Sequence, residues 1–270
     1  MGIAYLRTQR KIDYAVYMST FPELWTLARS LRQDYRWVDL THSFHAGQPH
    51  FGALPDETRE RLYTVEEHGF EIDRYSVVGQ WGTHVDPPVH FVTGARPLDE
   101  IPVEQMVLPL VVIDVHEQAA ADADYSPTVE DILEWEKRHQ PIPEGSFVAL
   151  RTDWSQRWPD AAAMNNADEE GINHYPAWNP AVVEWLITAR NITALGHETT
   201  DTDLGARVSR GELPSELLLL QHDRWQIEML CNLDQVPEVG ALIVASWPKP
   251  LHGTGFPARA FAIVPEPVAR

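Results

Sequence analysis

The stretch Gln80-Trp81-Gly82-Thr83-His84-Val85-Asp86-Pro87-Pro88-Val89-His90-Phe91 decides how this chain reads. It gathers two imidazoles, a carboxylate and a carboxamide into one short segment that two prolines then halt. The run before it, residues 74–81 (RYSVVGQW), is rich in β-branched and aromatic side chains and predicts a strand. Alternate side chains of a strand share a face. Gln80, Gly82, His84 and Asp86 are therefore expected on one side, with Gly82 leaving a hollow for a small cation. Imidazole nitrogen and carboxylate oxygen are ligand types that hold zinc or manganese. Pro87 and Pro88 cannot extend a ladder, so the chain turns and can return His90 toward the same hollow. A histidine near a metal but not bound to it suits a general base for an activated water. Composition alone leaves a blander reading open, a polar loop without a metal.

The segment closely resembles the signature of a metal-dependent hydrolase family, the cyclase family, which includes bacterial kynurenine formamidase and isatin hydrolase. Gly82, Thr83, His84, Asp86, Pro88 and His90 match its fixed positions in order, while Gln80 replaces the first His of the signature. The resemblance extends along most of the chain. Val38-Asp39-Leu40-Thr41-His42 and Gly47-Gln48-Pro49-His50-Phe51 are similar to the family's opening strand and substrate-side loop. Leu195-Gly196-His197-Glu198-Thr199-Thr200-Asp201-Thr202-Asp203 resembles its Gly-x-Asp-Thr segment, with Glu198 where an Asp is commoner. Ile227-Glu228-Met229-Leu230-Cys231-Asn232-Leu233-Asp234 resembles the Glu-Asn-Leu-x-Asn-Leu segment that supplies a late metal ligand, and Gly255-Phe256-Pro257-Ala258-Arg259-Ala260 resembles the entry to the terminal strand.

This resemblance implies an α/β fold, a three-layer β/β/α sandwich of the cyclase/kynurenine formamidase type, as one domain over residues 1–270. It implies metal ligands among Gln80, His84, Asp86, Glu216 and Glu228. Glu228 stands where the family's late Glu does, and Glu216 stands where two-metal members carry a His. His222 could take that place but lies in a turn-like Gln221-His222-Asp223-Arg224. Both departures exchange a nitrogen donor for oxygen, which favours manganese or magnesium over zinc. The expected cofactor is a divalent ion, Mn or Zn, one or two per chain. His90 is the expected general base, with Phe51, Trp81, His197 and Glu198 on the substrate side and Trp154 and Trp178 as further aromatic walls. The implied reaction is hydrolysis of a carbon–nitrogen bond in a small aromatic amide, either an N-formyl arylamine or a cyclic amide such as isatin. The ligand changes favour the cyclic amide. They also motivate an alternative, a metal- or ligand-binding protein of this fold that has lost hydrolysis; a metal-dependent lyase is a third reading.

Composition agrees with these expectations. The chain has 270 residues, 44% of them apolar and 10 of them Trp, enough for a substantial single core. A formal charge of -19 opposes a nucleic-acid partner, which would need a basic face. Cys231 is the only cysteine, which excludes an intrachain disulfide and a multi-thiolate zinc site. No apolar run approaches the roughly 20 residues of a membrane span. Arg7, Arg10 and Lys11 precede no apolar stretch, so no secretory signal and a cytoplasmic location are expected. The family implies a small-molecule substrate and a homo-oligomer, dimer or tetramer. Phosphate-cradling and serine-nucleophile motifs are missing, which moves hydrolysis onto water.

Pattern predicts a short helix over residues 21–31 and strands at 37–41, 75–81, 108–115, 147–151, 192–196, 242–245 and 259–264. One helix should start at Ser126-Pro127 and run to about residue 139. Another should start at Asn179-Pro180, with Val182, Val183, Leu186 and Ile187 as its buried stripe. Residues 56–67 read as a polar loop and 154–180 as a long, lid-like one. His197, Glu198, Asp201 and Asp203 follow a strand and are expected to line the site. His42 and His50 read as surface histidines.

Overall fold

The computed structural model describes residues 14–266; the expectation resting on Arg7, Arg10 and Lys11 lies outside them. Contacts divide the chain into two units. One comprises Met1–Arg36 with Pro265–Arg270 and contains helix α1 (Tyr14–Gln33), longer than the helix expected over residues 21–31. The other, Trp37–Val264, carries everything that bears on the site. No helix of the described residues is long and apolar enough to cross a membrane.

The strands are β1 (Tyr35–Asp39), β2 (Thr58–Tyr63), β3 (Ile72–Ser76), β4 (His84–Asp86), β5 (Val107–Asp114) and β6 (Phe147–Arg151). They continue with β7 (Ala194–His197), β8 (Trp225–Glu228), β9 (Ala241–Ser246), β10 (Phe256–Pro257) and β11 (Arg259–Pro265). Nine of them form one mixed sheet in the order β1-β11-β9-β5-β6-β7-β8-β4-β10. Its centre, β5 through β8, is parallel, and its flanks are antiparallel. Helices α2 (Val65–His68), α3 (His116–Ala121), α4 (Val129–Arg138) and α5 (Ala161–Asn165) lie in the connections, followed by α6 (Pro180–Arg190), α7 (Gly205–Val208) and α8 (Pro214–Gln221).

Strand alternation builds two cores. Along β5, Leu108, Leu110 and Val112 enter one cluster while Val111 and Ile113 enter another; along β6, Phe147 and Ala149 part from Val148 and Leu150 in the same way. The first cluster also joins Val38 of β1 to Val85 of β4, near opposite ends of the strand order. The sheet therefore curls over its own face, giving two β layers. The second cluster packs the other face against Ile132 and Trp135 of α4, the α6 stripe and Leu219 of α8, the helical layer. This is the expected mixed α/β fold.

α6 starts where its sequence says: Asn179 Oδ1 accepts from Ala181 N at 3.0 Å with Pro180 in the first turn, and all four stripe residues are buried. α4 starts slightly later than expected, because Thr128 and Asp131 form a reciprocal capping box.

Three expectations fail. The strand expected over residues 75–81 ends at Ser76, and β3 pairs only with β2, in the segment read as a loop. Gly79 packs against the Gly255 backbone and Gly82 adopts φ 62°, so the chain bends before β4. Residues 154–180 are not a free lid. Tyr175, Ala177 and Trp178 are completely or almost completely buried, Trp154 is buried too, and the Trp178 indole donates to Gly196 O. Trp154 and Trp178 are therefore core residues rather than substrate walls.

Candidate metal centre and catalytic cavity

Register builds the centre. β4 and β8 are antiparallel neighbours with His84 opposite Glu228 and Asp86 opposite Gln226. His84 and Asp86 share a face of β4 by strand alternation, as Gln226 and Glu228 do on β8. One ligand atom each from His84, Asp86 and Glu228 lies within 4.8 Å of the others, and all three residues are buried. His84 Nε2 stands 3.3 Å from Asp86 Oδ2 and 3.5 Å from Glu228 Oε2. Its other nitrogen, Nδ1, lies 2.8 Å from Gly82 O, which in the neutral ring fixes the proton on Nδ1 and presents the Nε2 lone pair to the centre. Gly82 serves this contact through its left-handed backbone. A Cβ there would also press on Phe44 Cβ at 3.0 Å. The hollow expected from its missing side chain is not its role.

Gln80 arrives from the bend rather than along a strand. Its Nε2 donates to Asp86 Oδ1 at 3.1 Å and to Thr254 O at 3.0 Å. In this orientation it supports the Asp86 carboxylate instead of presenting an oxygen to a cation. Glu216 stands in the first turn of α8, whose leading N–H groups at Ser215 and Glu216 donate to the Asp203 carboxylate. Asp203 is thus a cap that positions Glu216.

Gln226, which was not anticipated, ties the carboxylates together. Its fully buried Nε2 lies 3.0 Å from Glu228 Oε1, 3.1 Å from Glu216 Oε1 and 3.3 Å from Asp86 Oδ2. Thr202 Oγ1 donates to Gln226 Oε1 at 2.7 Å and fixes the amide's orientation. The strand spacing from Glu228 was the signal that could have found Gln226.

Three buried carboxylates around one histidine create an electrostatic demand. Burial and then the charges of its neighbours raise the Glu216 carboxyl well above the usual range, with Glu228 and Asp86 as the leading partners. Glu228 is raised in the same manner, by burial and by Asp86. Burial alone would lower His84, but Asp86 and Glu228 outweigh it and raise the imidazole to about 9. Asp86 is held well below the carboxylate range because His84 outweighs its burial. Such a set is satisfied by added positive charge at its focus. One nitrogen and two carboxylates within a few ångströms fit a divalent cation, and the oxygen-rich composition fits a hard one.

The centre forms the floor of a cavity of about 250 Å³. Gln80, His84, Asp86, Glu216 and Glu228 line it together with His90, and Phe51, Leu54, Phe91, Leu213 and Met229 supply apolar walls. His90 Nε2 lies 3.9 Å from both Asp86 Oδ1 and Glu216 Oε1, and its Nδ1 lies 3.5 Å from Gln80 Nε2. Among the described residues no hydrogen bond shorter than 3.5 Å holds the ring, and its side chain is 28% exposed. A larger cleft of about 860 Å³ lies elsewhere; its carboxylates are Asp39, paired with Arg259, and Glu57, and among the described residues the one group of side chains close enough to share an ion is His84, Asp86 and Glu228.

Several expected residues fall outside the cavity lining. Trp81 is fully buried behind His50, with ring centroids 4.8 Å apart, so it supports the wall rather than forming it. His50 itself lines the cavity instead of lying free at the surface. His197 is buried; its Nε2 is 3.4 Å from Glu228 Oε1, and burial chiefly lowers it to about 4, leaving a neutral ring. Glu198 turns the other way, accepting from Thr152 N at 2.7 Å and Ser155 Oγ at 2.7 Å. Asp201, by contrast, reaches the cavity, with Tyr175 OH donating to its Oδ2 at 2.5 Å.

The family model described as "Putative cyclase" matches residues 38–204. The isatin hydrolase of Roseibium aggregatum is 37% identical over 253 residues, covering 88% of this chain and 95% of that protein. Among solved structures, isatin hydrolase A from Labrenzia aggregata bound to benzyl benzoate superposes with a TM-score of 0.84 at 34% identity, over 90% of this chain and all of that one. An isatin hydrolase bound to the product analogue thioisatinate superposes with a TM-score of 0.83 at 30% identity, over 92% of this chain and 99% of that one. With the signature, the curled mixed sheet and these relatives in agreement, the chain belongs to the cyclase family of metal-dependent hydrolases.

Proposed function

We propose that the chain hydrolyses the ring amide of a small aromatic cyclic amide of the isatin type, using one divalent cation held by His84, Asp86 and Glu228. The observation that carries this reading is the convergence of that triad at the floor of a small, apolar-walled cavity. At about 250 Å³ the cavity is near the small end of ligand sites. It suits a compact planar substrate between Phe51, Leu54, Phe91 and Leu213. The similarity to isatin hydrolases favours a cyclic amide over an N-formyl arylamine.

A bound cation there supplies a Lewis acid for the amide carbonyl and lowers the pKa of water toward about 7. Manganese suits the oxygen-rich donors better than zinc. The remaining chemistry belongs to the protein. Gln80 and Gln226 hold Asp86 and Glu228 in place through their side-chain amides. His90 faces the cavity with no competing close partner, so it takes the proton of the attacking water and returns it to the departing ring nitrogen. The net change is one water added across the carbon–nitrogen bond. Phe51 and Phe91 flank the ring and exclude bulk water. Glu216 extends the acidic set beside His90, at 3.9 Å.

Residues 1–270 act as one catalytic domain in the cytoplasm, in a homo-oligomer such as the family resemblance implies. Support for a partner face comes from the β2–β3 pair, which exposes Tyr63, Phe70 and Tyr75; an isolated two-stranded pair is marginal in water.

The deciding experiment measures metal content and isatin turnover together, in wild type and in His84→Ala/Asp86→Ala. Near-stoichiometric manganese with turnover, both lost in the variant, supports the proposal. Turnover unchanged in the variant overturns it.

A further inference from the structure

A second cavity of about 320 Å³ adjoins the catalytic one. His50, Phe51, Thr200 and Asp201 line both, so the two share a wall. Phe51, 45% exposed, is the apolar member of that wall. Beyond it the chemistry changes. Where the walls of the catalytic cavity above the metal centre add Leu54, Phe91, Leu213 and Met229, the second adds Asn165, Asn173 and Ser209 beside Ala53 and Val208.

Asn165 and Asn173 are both half-buried, and each ties its main chain into the wall. Asn165 uses its main-chain oxygen to accept from His174 N at 3.2 Å, and Asn173 uses its main-chain N–H to donate to Ser209 Oγ at 2.9 Å. Among the described residues, neither side-chain amide is committed to another protein group. The wall that carries them is already fixed. Asn166 Nδ2 donates to His174 O at 2.9 Å, Asp168 Oδ1 accepts from Ile172 N at 2.8 Å, and His174 Nδ1 pairs with Asp124 at 2.6 Å. Tyr175, directly after, is fully buried. A ligand meeting these amides therefore finds the backbone already ordered, and only the two side chains remain to be fixed.

Charge narrows the class. Among the described residues no Lys or Arg lines the compartment, and Asp201 does. A carboxylate substituent would meet repulsion. An apolar one would strip water from both amides without replacing its hydrogen bonds. A group that both donates and accepts matches asparagine.

We propose that this compartment is a specificity subsite that takes a neutral hydrogen-bonding substituent, a carboxamide or hydroxyl, on the substrate ring, recognised by Asn165 and Asn173. This rests on the hydrolase reading above. The substituent passes beside Phe51 while the ring stays over the triad.

The test compares isatin with isatins carrying a carboxamide, a methyl or a carboxylate on the benzo ring. Turnover is followed by kinetics and binding by calorimetry, in wild type, Asn165→Leu, Asn173→Leu and the double variant. The proposal expects wild type to prefer the carboxamide over the methyl compound. Each substitution should reduce that preference in kcat/KM by about threefold to tenfold, with unsubstituted isatin unaffected. Wild-type discrimination needs no variant to fold, so it stands as an independent readout. Equal kcat/KM for carboxamide and methyl compounds in wild type overturns the subsite and leaves the hydrolase reading intact. Binding of the carboxamide compound through the asparagines without turnover of any compound overturns the hydrolase reading and leaves the subsite. Neither binding nor turnover overturns both.

Discussion

The carboxamide of Gln80 lies directly against the bare Cα of Gly255, so closely that a Cβ at 255 would overlap Nε2. That same nitrogen donates to Asp86 Oδ1 and to Thr254 O. Gly255 thus leaves the space that lets Gln80 hold a candidate metal ligand from behind. Gly255→Ala should displace Gln80 and weaken manganese affinity by about 10–100-fold, the usual effect of losing a partner to a metal ligand. Gln80→Ala should do the same, and the double variant should be no worse than either single one. Calorimetric manganese titration checks this; additive losses would show that the two positions act separately.

Legibility in the sequence followed locality. His84 and Asp86 could be paired from the text because strand alternation is a local rule, and α6 because Asn179, Pro180 and an apolar stripe are adjacent signals. The Gln80 geometry could not be read, since it depends on Gly79 and Gly255 meeting across a long stretch of chain. The curl of the sheet was likewise hidden, as it is set by Val38 and Val85 sharing a core. Trp81, Trp154 and Trp178 looked like substrate walls because composition does not say which side of a wall a ring occupies. Gln226 was missed although it stands on the same strand face as Glu228; an uncharged amide draws no notice until three carboxylates surround it.

Glu198 sets a pH dependence of stability. Burial raises its carboxyl from 4.5 to about 7, against the lowering effect of its bonds from Ser155 and Thr152. The folded pKa is above the unfolded one, so the unfolded state ionises first and stability falls as pH rises from about 4.5 to 7. The full cost, about 3 kcal/mol, is present above that range. Glu198→Gln retains acceptor and donor atoms for Thr152 and Ser155 but cannot ionise. Relative to wild type it should gain stability between about pH 4.5 and pH 7 in urea titrations, with the difference levelling off above that range. A difference that does not vary with pH would refute the assignment.

Cys231 is a packed hydrophobe rather than a nucleophile. It is 7% exposed, and burial, with Asp39 and Glu198 adding to it, pushes the thiol up to about 12. At pH 8 the native protein should react with iodoacetamide on the order of a thousandfold more slowly than the unfolded chain. Mass spectrometry before and after denaturation reads this directly. Rapid native alkylation with loss of turnover would place the thiol in the reaction.

His90 is the residue whose loss should separate chemistry from metal binding. It lines the cavity beside the triad, yet its Nε2 stays 3.9 Å from Asp86 and from Glu216. A proton-transfer group at that position contributes about 10²–10⁴-fold to turnover. His90→Ala should therefore lower kcat by about that factor while manganese content and affinity stay close to wild type. The KM should change little, because the apolar walls formed by Phe51, Leu54 and Leu213 are untouched. Loss of manganese in this variant would instead make His90 a ligand, with the proton moved by another group. The neighbouring acid Glu216 would then be the residue to test, through Glu216→Gln.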